Sequence, residues 1–181
     1  ETPFDRYTKA LSTGDEPGLE NLTEHQKKGL RLFIGKAQCI NCHNGPLLSN
    51  GEFHHVGAPD RGKPNLGRGA VVATLREAEF GYFSRWSDAD QEKHGAHVRF
   101  LNDNAARYQQ AFKTPTLRGV ADRPPYMHAG QFATLKAVLT HYRDVSDKGV
   151  VDEIFHSELS DEDLRALEEF LKALSSSKDQ F

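Results

Sequence analysis

Cys39, Cys42 and His43 sit together in the stretch CINCH, and these two thiols are all the cysteine that the 181 residues contain. Few chemistries use two thiols and an imidazole at this spacing. A tetrahedral zinc site needs four ligands, usually as two Cys or His pairs, and no second pair follows; only scattered histidines could complete one. A redox dithiol of the CxxC kind normally follows a strand in a βαβ pattern, which is missing here. A disulfide across two intervening residues closes almost no loop and stabilises little. Covalent attachment of haem c uses all three groups: the thiols form thioethers to the two vinyl groups and the adjacent imidazole reaches the iron. The stretch therefore predicts one covalent haem c on Cys39 and Cys42, with His43 as its proximal ligand. His43 should also donate its other ring N–H to a carbonyl or carboxylate, a partner that no motif names.

What such an iron does depends on its sixth position, because an open site permits peroxide or oxygen chemistry and a filled one favours electron transfer. The chain offers Met127, its only methionine, Tyr142 on an expected helix, and further histidines, notably His54, His55, His128 and His141. A thioether sulfur is soft and raises the reduction potential, whereas a phenolate oxygen is hard and favours ferric iron. A lone Met is more often a core filler, and a Tyr on an amphipathic helix more often packs its ring and solvates its hydroxyl. Spacing alone does not choose between them.

The elements around CINCH must hold these groups. LTEHQKKGLRLFIGK reads as a helix that delivers the chain into the motif, with Thr23 as N-cap, Gln26 as capping-box partner, and Leu30, Phe33 and Ile34 as its apolar stripe. From Gly45 to Gly69 the composition turns to Gly, Pro, Asn and Asp, which predicts a long loop of a kind that usually wraps something. Phe80, Tyr82, Phe83 and Trp86 are expected in the core or against a cofactor. Pro115, Pro124 and Pro125 make KTPTLRGVADRPPYMHAGQF extended and rich in turns. Thr134 caps a helix of roughly Leu135 to Val145. A last helix starts at Ser160 and carries Leu164, Leu167, Phe170, Leu171 and Leu174 at helical spacing behind an acidic first turn. Residues 1–21 read as an irregular lead-in with one short helix near Phe4 to Leu11, residues 22–174 as a helical domain with long loops, and 175–181 as a polar tail.

Composition narrows the partners. With 37% apolar and 27% charged residues and a net charge of -3, the chain is ordinary for a globular domain and has no basic stripe for nucleic acid. No run approaches the roughly 18 apolar residues of a membrane span.

The runs TPFDRY, LTEHQKKGLRLF, CINCHNGPLLSNGEFHHVG, FKTPTLRGVADRPPYMHAGQFATLKAVLTHY and LSDEDLRALEEFLKAL resemble the C-terminal haem domain of the bacterial di-haem cytochrome c peroxidase and MauG family. The resemblance covers nearly the whole chain. It implies an all-α, cytochrome c-like helical haem domain over residues 22–174, whose six-coordinate haem transfers or stores electrons while an N-terminal haem reacts with hydrogen peroxide. In the peroxidase branch the sixth ligand is a methionine in the helix after the ATL segment, and in the MauG branch a tyrosine. The matching position is Tyr142, with Met127 as runner-up. The family also holds calcium between its haems, partly through main-chain carbonyls whose matching positions are Arg123 and Pro125; Arg123 stands where Thr is usual and sets a positive charge beside the ion. Arg118, in TPTLR, is a candidate for a haem propionate, with a salt bridge or loop cap as the competing role.

The resemblance further implies a partner domain or chain with the second haem, a small redox protein or protein substrate, and export to the periplasm or beyond. The N-terminal haem domain is not among these residues, so they read as a fragment or separate chain of a larger enzyme. A stand-alone mono-haem electron carrier and a peroxidase acting alone are the alternatives.

Overall fold

The computed structural model describes residues 1–90, 108–148 and 158–176. Helices α1 (Pro3–Thr13), α2 (Glu24–Ile34), α3 (Gly69–Glu77), α4 (Leu135–Lys148) and α5 (Asp161–Lys172) carry the fold. A two-residue antiparallel ribbon joins β1 (Phe53–His54) to β2 (Phe112–Lys113). The expected all-α class holds, with this ribbon pinning the long loop after CINCH to the TPTLR segment. The end of the expected polar tail, 177–181, lies outside the described residues, as does 91–107.

Local chemistry sets the helix starts. Thr23 Oγ1 accepts the Gln26 N–H at 3.2 Å and Gln26 returns a side-chain oxygen to the Thr23 N–H at 3.0 Å, the reciprocal box expected for α2. Ser160 and Asp163 build the same box for α5, whose first turn carries Asp161, Glu162 and Asp163. The inner face of α5 is buried at Leu164, Leu167, Phe170 and Leu171. Phe170 is fully enclosed, with Phe33 of α2 edge-on at 5.2 Å and Phe4 of α1 at 5.4 Å. Truncating a side chain so placed costs about 3–5 kcal/mol.

Helices α2 and α5 cross at Gly29. A Cβ added there would run into the Ala166 carbonyl oxygen and lie 2.7 Å from the Phe170 Cβ, so only glycine permits this approach. The approach brings the end of α2, and with it the CINCH turn, against the buried face of α5.

Three expectations change. Residues 1–21 are more regular than the expected lead-in: the short helix near Phe4 to Leu11 is present as α1 but runs for 11 residues, and a 3₁₀ turn follows at Pro17–Asn21. Its start is a Thr2–Asp5 capping box with Pro3 in the first turn, a combination that stabilises a helix start despite the polar composition. Phe4 also donates its N–H to the Ala173 carbonyl at 3.2 Å, so α1 belongs to the same core as α5. Ile34 is not on the buried stripe of α2 but 54% exposed, because Gly29 and Phe33 set the face that meets α5. The aromatics after α3 are not core: Phe80, Phe83 and Trp86 are exposed. They pack among themselves and under cations, Tyr82 edge-on to Phe83 at 5.1 Å and the Arg85 guanidinium 4.5 Å from the Trp86 ring.

Two outcomes follow from this packing. Gly29→Ala should lower the stability by about 2 kcal/mol or more, since overpacking outweighs the better helix propensity of Ala. A denaturant midpoint equal to or above wild type would mean that the helices do not meet this closely. Asp5 feels burial, which raises its pKa, but the Thr2 N–H, the Arg118 guanidinium and the Thr2 hydroxyl hold it below the ordinary carboxylate value. Its stabilising contribution is therefore present above the unfolded-state value near pH 4 and is lost as pH falls through the lower folded-state value. The stability gap between wild type and Asp5→Asn should be full at pH 6 and shrink toward pH 3, and a gap that stays constant over that range would exclude an ionised Asp5.

Candidate haem-binding site

Helix α2 ends at Ile34, and the chain reverses through Gly35 to Ala37, whose N–H reaches the Leu32 carbonyl at 2.9 Å. Gln38 then takes a left-handed conformation, φ 54°, and starts a 3₁₀ turn at Cys39–Asn41. The His43 N–H closes on the Cys39 carbonyl at 2.8 Å. In such a turn side chains three apart fall on one side, so Cys39 and Cys42 face the same way. Neither is in a disulfide.

His43 Nδ1 lies 3.0 Å from the Leu48 carbonyl oxygen. A carbonyl only accepts, so Nδ1 carries the hydrogen and Nε2 the lone pair. Burial foremost lowers the His43 pKa, against the carbonyls of Leu48 and Pro115 and helped by the nearby His54 ring. The imidazole is thus neutral and in the tautomer that ligates metal through Nε2.

Burial pushes the Cys39 thiol up to about 12, with Cys42 adding to the shift. A thiol held protonated in this way is not the activated nucleophile of a redox CxxC site. Nor do the described residues contain a cluster of three or more His, Cys, Asp or Glu side chains able to hold a metal ion, which disfavours zinc.

Near the thiols stands Tyr142 of α4. Burial raises its phenol pKa above the ordinary range, and the Cys39 and Cys42 sulfurs raise it further, so the phenol lies within electrostatic range of both. Cys39, Cys42, His43 and Tyr142 all keep partial solvent access despite this desolvation. None of the four is fully buried. The donor set fits a haem c: Cys39 and Cys42 would take the vinyl groups, the neutral His43 imidazole would hold the iron, and the Tyr142 phenol is a further donor nearby.

The other sequence candidates have separate roles. Met127 is half-buried at φ 68° in a turn whose flanking Tyr126 and Phe132 pair backbone to backbone at 2.7 Å. The Asn50 amide donates to His54 Nε2 at 3.1 Å, and His141 Nε2 donates to the Val56 carbonyl at 3.0 Å. His128 stacks on Phe112 at 3.5 Å. The Arg118 guanidinium pairs with Asp5 and donates from Nε to the Pro46 carbonyl at 3.0 Å, the loop cap weighed against a propionate partner. Arg123 and Pro125 are exposed, and the Arg123 guanidinium turns back onto the carbonyls of Gly119, Thr116 and Arg118. A groove of about 670 Å³ between α4 and the Gly57–Pro59 loop contains neither thiol nor Tyr142.

Sequence reasoning missed the shell beneath His43. Leu48 is 6% exposed and left-handed at φ 50°, a conformation no glycine marks. Ser49 Oγ donates to the Thr114 carbonyl at 2.8 Å, and Thr116 Oγ1 donates to the Leu47 carbonyl. The two threonines of TPTLR were the only signal, read then as part of an extended segment.

No family model matches the chain. It is 34% identical over 173 residues to the cytochrome-c peroxidase IdrP2 of Denitromonas iodatirespirans, covering 96% of this chain and 44% of that protein. It is 31% identical over 176 residues to the methylamine utilization protein MauG of Methylorubrum extorquens, covering 96% of this chain and 39% of that protein. Among solved structures, the diheme peroxidase BthA from Burkholderia thailandensis superposes with a TM-score of 0.67 at 18% identity, over 98% of this chain and 46% of that one. A MauG-like protein associated with microbial copper homeostasis gives the same score at 22% identity, over 98% and 52%. These structural likenesses establish the fold. The chain spans less than half the length of these two curated relatives. Over nearly its whole length it is a homologue of the cytochrome-c peroxidase and MauG proteins, haem proteins of the peroxidase type.

Proposed function

We propose that this chain attaches one haem c through Cys39 and Cys42 and serves as the electron-transfer or electron-storage part of a di-haem, peroxide-dependent oxidoreductase. The observation that carries the reading is the His43 Nδ1–H bond to the Leu48 carbonyl, beside the Cys39 and Cys42 thiols and with the Tyr142 phenol within electrostatic range of both sulfurs. When bound, the haem supplies one-electron exchange at its iron.

The residues around it do the rest. His43 offers Nε2 as proximal donor, and its basicity is set by the Leu48 carbonyl. Tyr142 is the distal ligand in this reading, with Met127 as runner-up. Its phenol is protonated in a desolvated site, and the positive charge of a ferric centre is what would favour the phenolate there. An anionic oxygen donor suits an electron-storage centre better than a soft thioether. The electrostatic proximity of Tyr142 to the thiols supports the choice over Met127.

Peroxide cleavage, on this reading, belongs to a second haem in the part of the protein that the curated relatives have beyond this match. The chain would be the C-terminal portion of such an enzyme, exchanging electrons with that haem and with a small redox protein or a protein substrate. A calcium ion between the haems would find only the Arg123 and Pro125 main-chain carbonyls here and take its remaining ligands from elsewhere. Thioether formation on reduced thiols would suit an exported protein, in the periplasm or beyond. No described helix is long and apolar enough to cross a membrane.

Absorption and electron paramagnetic resonance spectra of the ferric holoprotein test the ligand set. Tyr142→Phe should convert a low-spin signal to high-spin, and Met127→Leu should leave it unchanged. A spectrum that responds to Met127→Leu alone, or is already high-spin in the wild type, would contradict tyrosine ligation.

A further inference from the structure

We propose that Arg118, held from α1 by Asp5, is a positioning residue for the His43 imidazole and thereby tunes the haem potential. The inference rests on the haem reading above. It starts from the Leu48 carbonyl, the acceptor for His43 Nδ1–H. To present that oxygen Leu48 sits at φ 50°, a conformation that is unfavourable for a non-glycine residue and persists only where the surroundings impose it.

Those surroundings grip the turn on successive residues. The Pro46 carbonyl accepts from Arg118 Nε at 3.0 Å, the Leu47 carbonyl from Thr116 Oγ1, and Ser49 Oγ binds back to the Thr114 carbonyl at 2.8 Å. The Leu48 side chain is buried in the core with Phe33, Leu135 and Leu139. The turn is therefore clamped by TPTLR, and Arg118 is its outermost jaw.

Arg118 in turn is fixed by Asp5, whose two oxygens divide the work. Oδ2 accepts from the Thr2 N–H at 2.9 Å and the Thr2 hydroxyl at 2.8 Å, closing the α1 capping box, and Oδ1 takes the Arg118 Nη1. Because a guanidinium is a rigid planar fork, anchoring one nitrogen on Asp5 also sets where Nε points. The N-terminus of α1 is thus linked through Asp5, Arg118, Pro46 and Leu48 to the proximal ligand.

Loosening this link should let Leu48 relax out of the left-handed region and weaken the bond to His43 Nδ1–H. A weaker bond makes the imidazole a poorer donor and stabilises ferrous over ferric iron.

The test uses the haem-loaded protein and its Arg118→Ala, Arg118→Lys, Asp5→Asn and combined Arg118→Ala/Asp5→Asn variants. Two readouts report on the ligand itself: the reduction potential, and solvent exchange of the hyperfine-shifted His43 Nδ1 proton in the ferric state. A melting curve runs alongside. Arg118→Ala and Asp5→Asn should each raise the ferrous-to-ferric ratio several-fold at fixed ambient potential and speed proton exchange several-fold. The combined variant should shift no further than the larger single one, because both act through one contact. Lys28→Ala, which breaks a charge pair to Glu162 remote from the turn, should leave both readouts unchanged. If Arg118→Ala does not fold, Arg118→Lys and Asp5→Asn carry the same reading, since the lysine lacks the second prong. Wild-type potential and exchange in the folded variants, or strictly additive shifts, would overturn the inference. A wild-type protein that binds no haem, or whose haem is unaffected by His43 substitution, would instead overturn the functional reading on which it stands.

Discussion

The crossing of α2 and α5 at Gly29 is the constraint on which the rest of the molecule depends. Helices approach this closely only where one of them lacks a side chain, and here the Ala166 backbone occupies the place a Cβ would take. The contact sets the rotation of α2, so that Phe33 rather than Ile34 enters the core. It also fixes where α2 ends, which is where CINCH begins. Phe170 then serves as the common surface for Phe4 and Phe33, tying α1 and α2 to α5.

At that end of α2 the candidate site residues are only partly buried. The thiol of Cys39 and the phenol of Tyr142 are desolvated enough to stay protonated, yet keep surface open to a bound group. His43 is kept neutral by burial and oriented by the Leu48 carbonyl. Each of these groups is awkward in an ordinary core, where polar atoms are buried only with partners. Together they form a set that a large, flat, apolar cofactor with a metal at its centre would complete. The electrostatics agree with that reading: a neutral imidazole from CINCH and a protonated phenol from α4 within electrostatic range of the thiols.

Much of this was legible in the residues. CINCH marked the thiols and imidazole, Thr23 with Gln26 marked the start of the helix that delivers them, and the spacing from Leu164 to Leu174 marked the buried face of α5. Family resemblance, not spacing, singled out Tyr142, and the structure places that residue near the thiols. Less was legible where the determining contacts are distant in sequence. Asp5 looks like an acidic residue of a polar lead-in until Arg118 comes to meet it. Leu48 carries no mark of its left-handed backbone, because the cause is the grip of Thr116 and Arg118 on its neighbours. Phe83 and Trp86 read as core by residue type, but α3 ends at Glu77 and leaves them exposed beside Arg76 and Arg85 instead.

The claim at the centre is that Cys39 and Cys42 carry a haem. Mass analysis of the peptide containing both cysteines, taken from protein made in a host that matures c-type cytochromes, tests it most directly. The account requires one haem per chain, joined by two thioethers and retained after denaturation. A peptide with free thiols, or with a disulfide between Cys39 and Cys42, would contradict it.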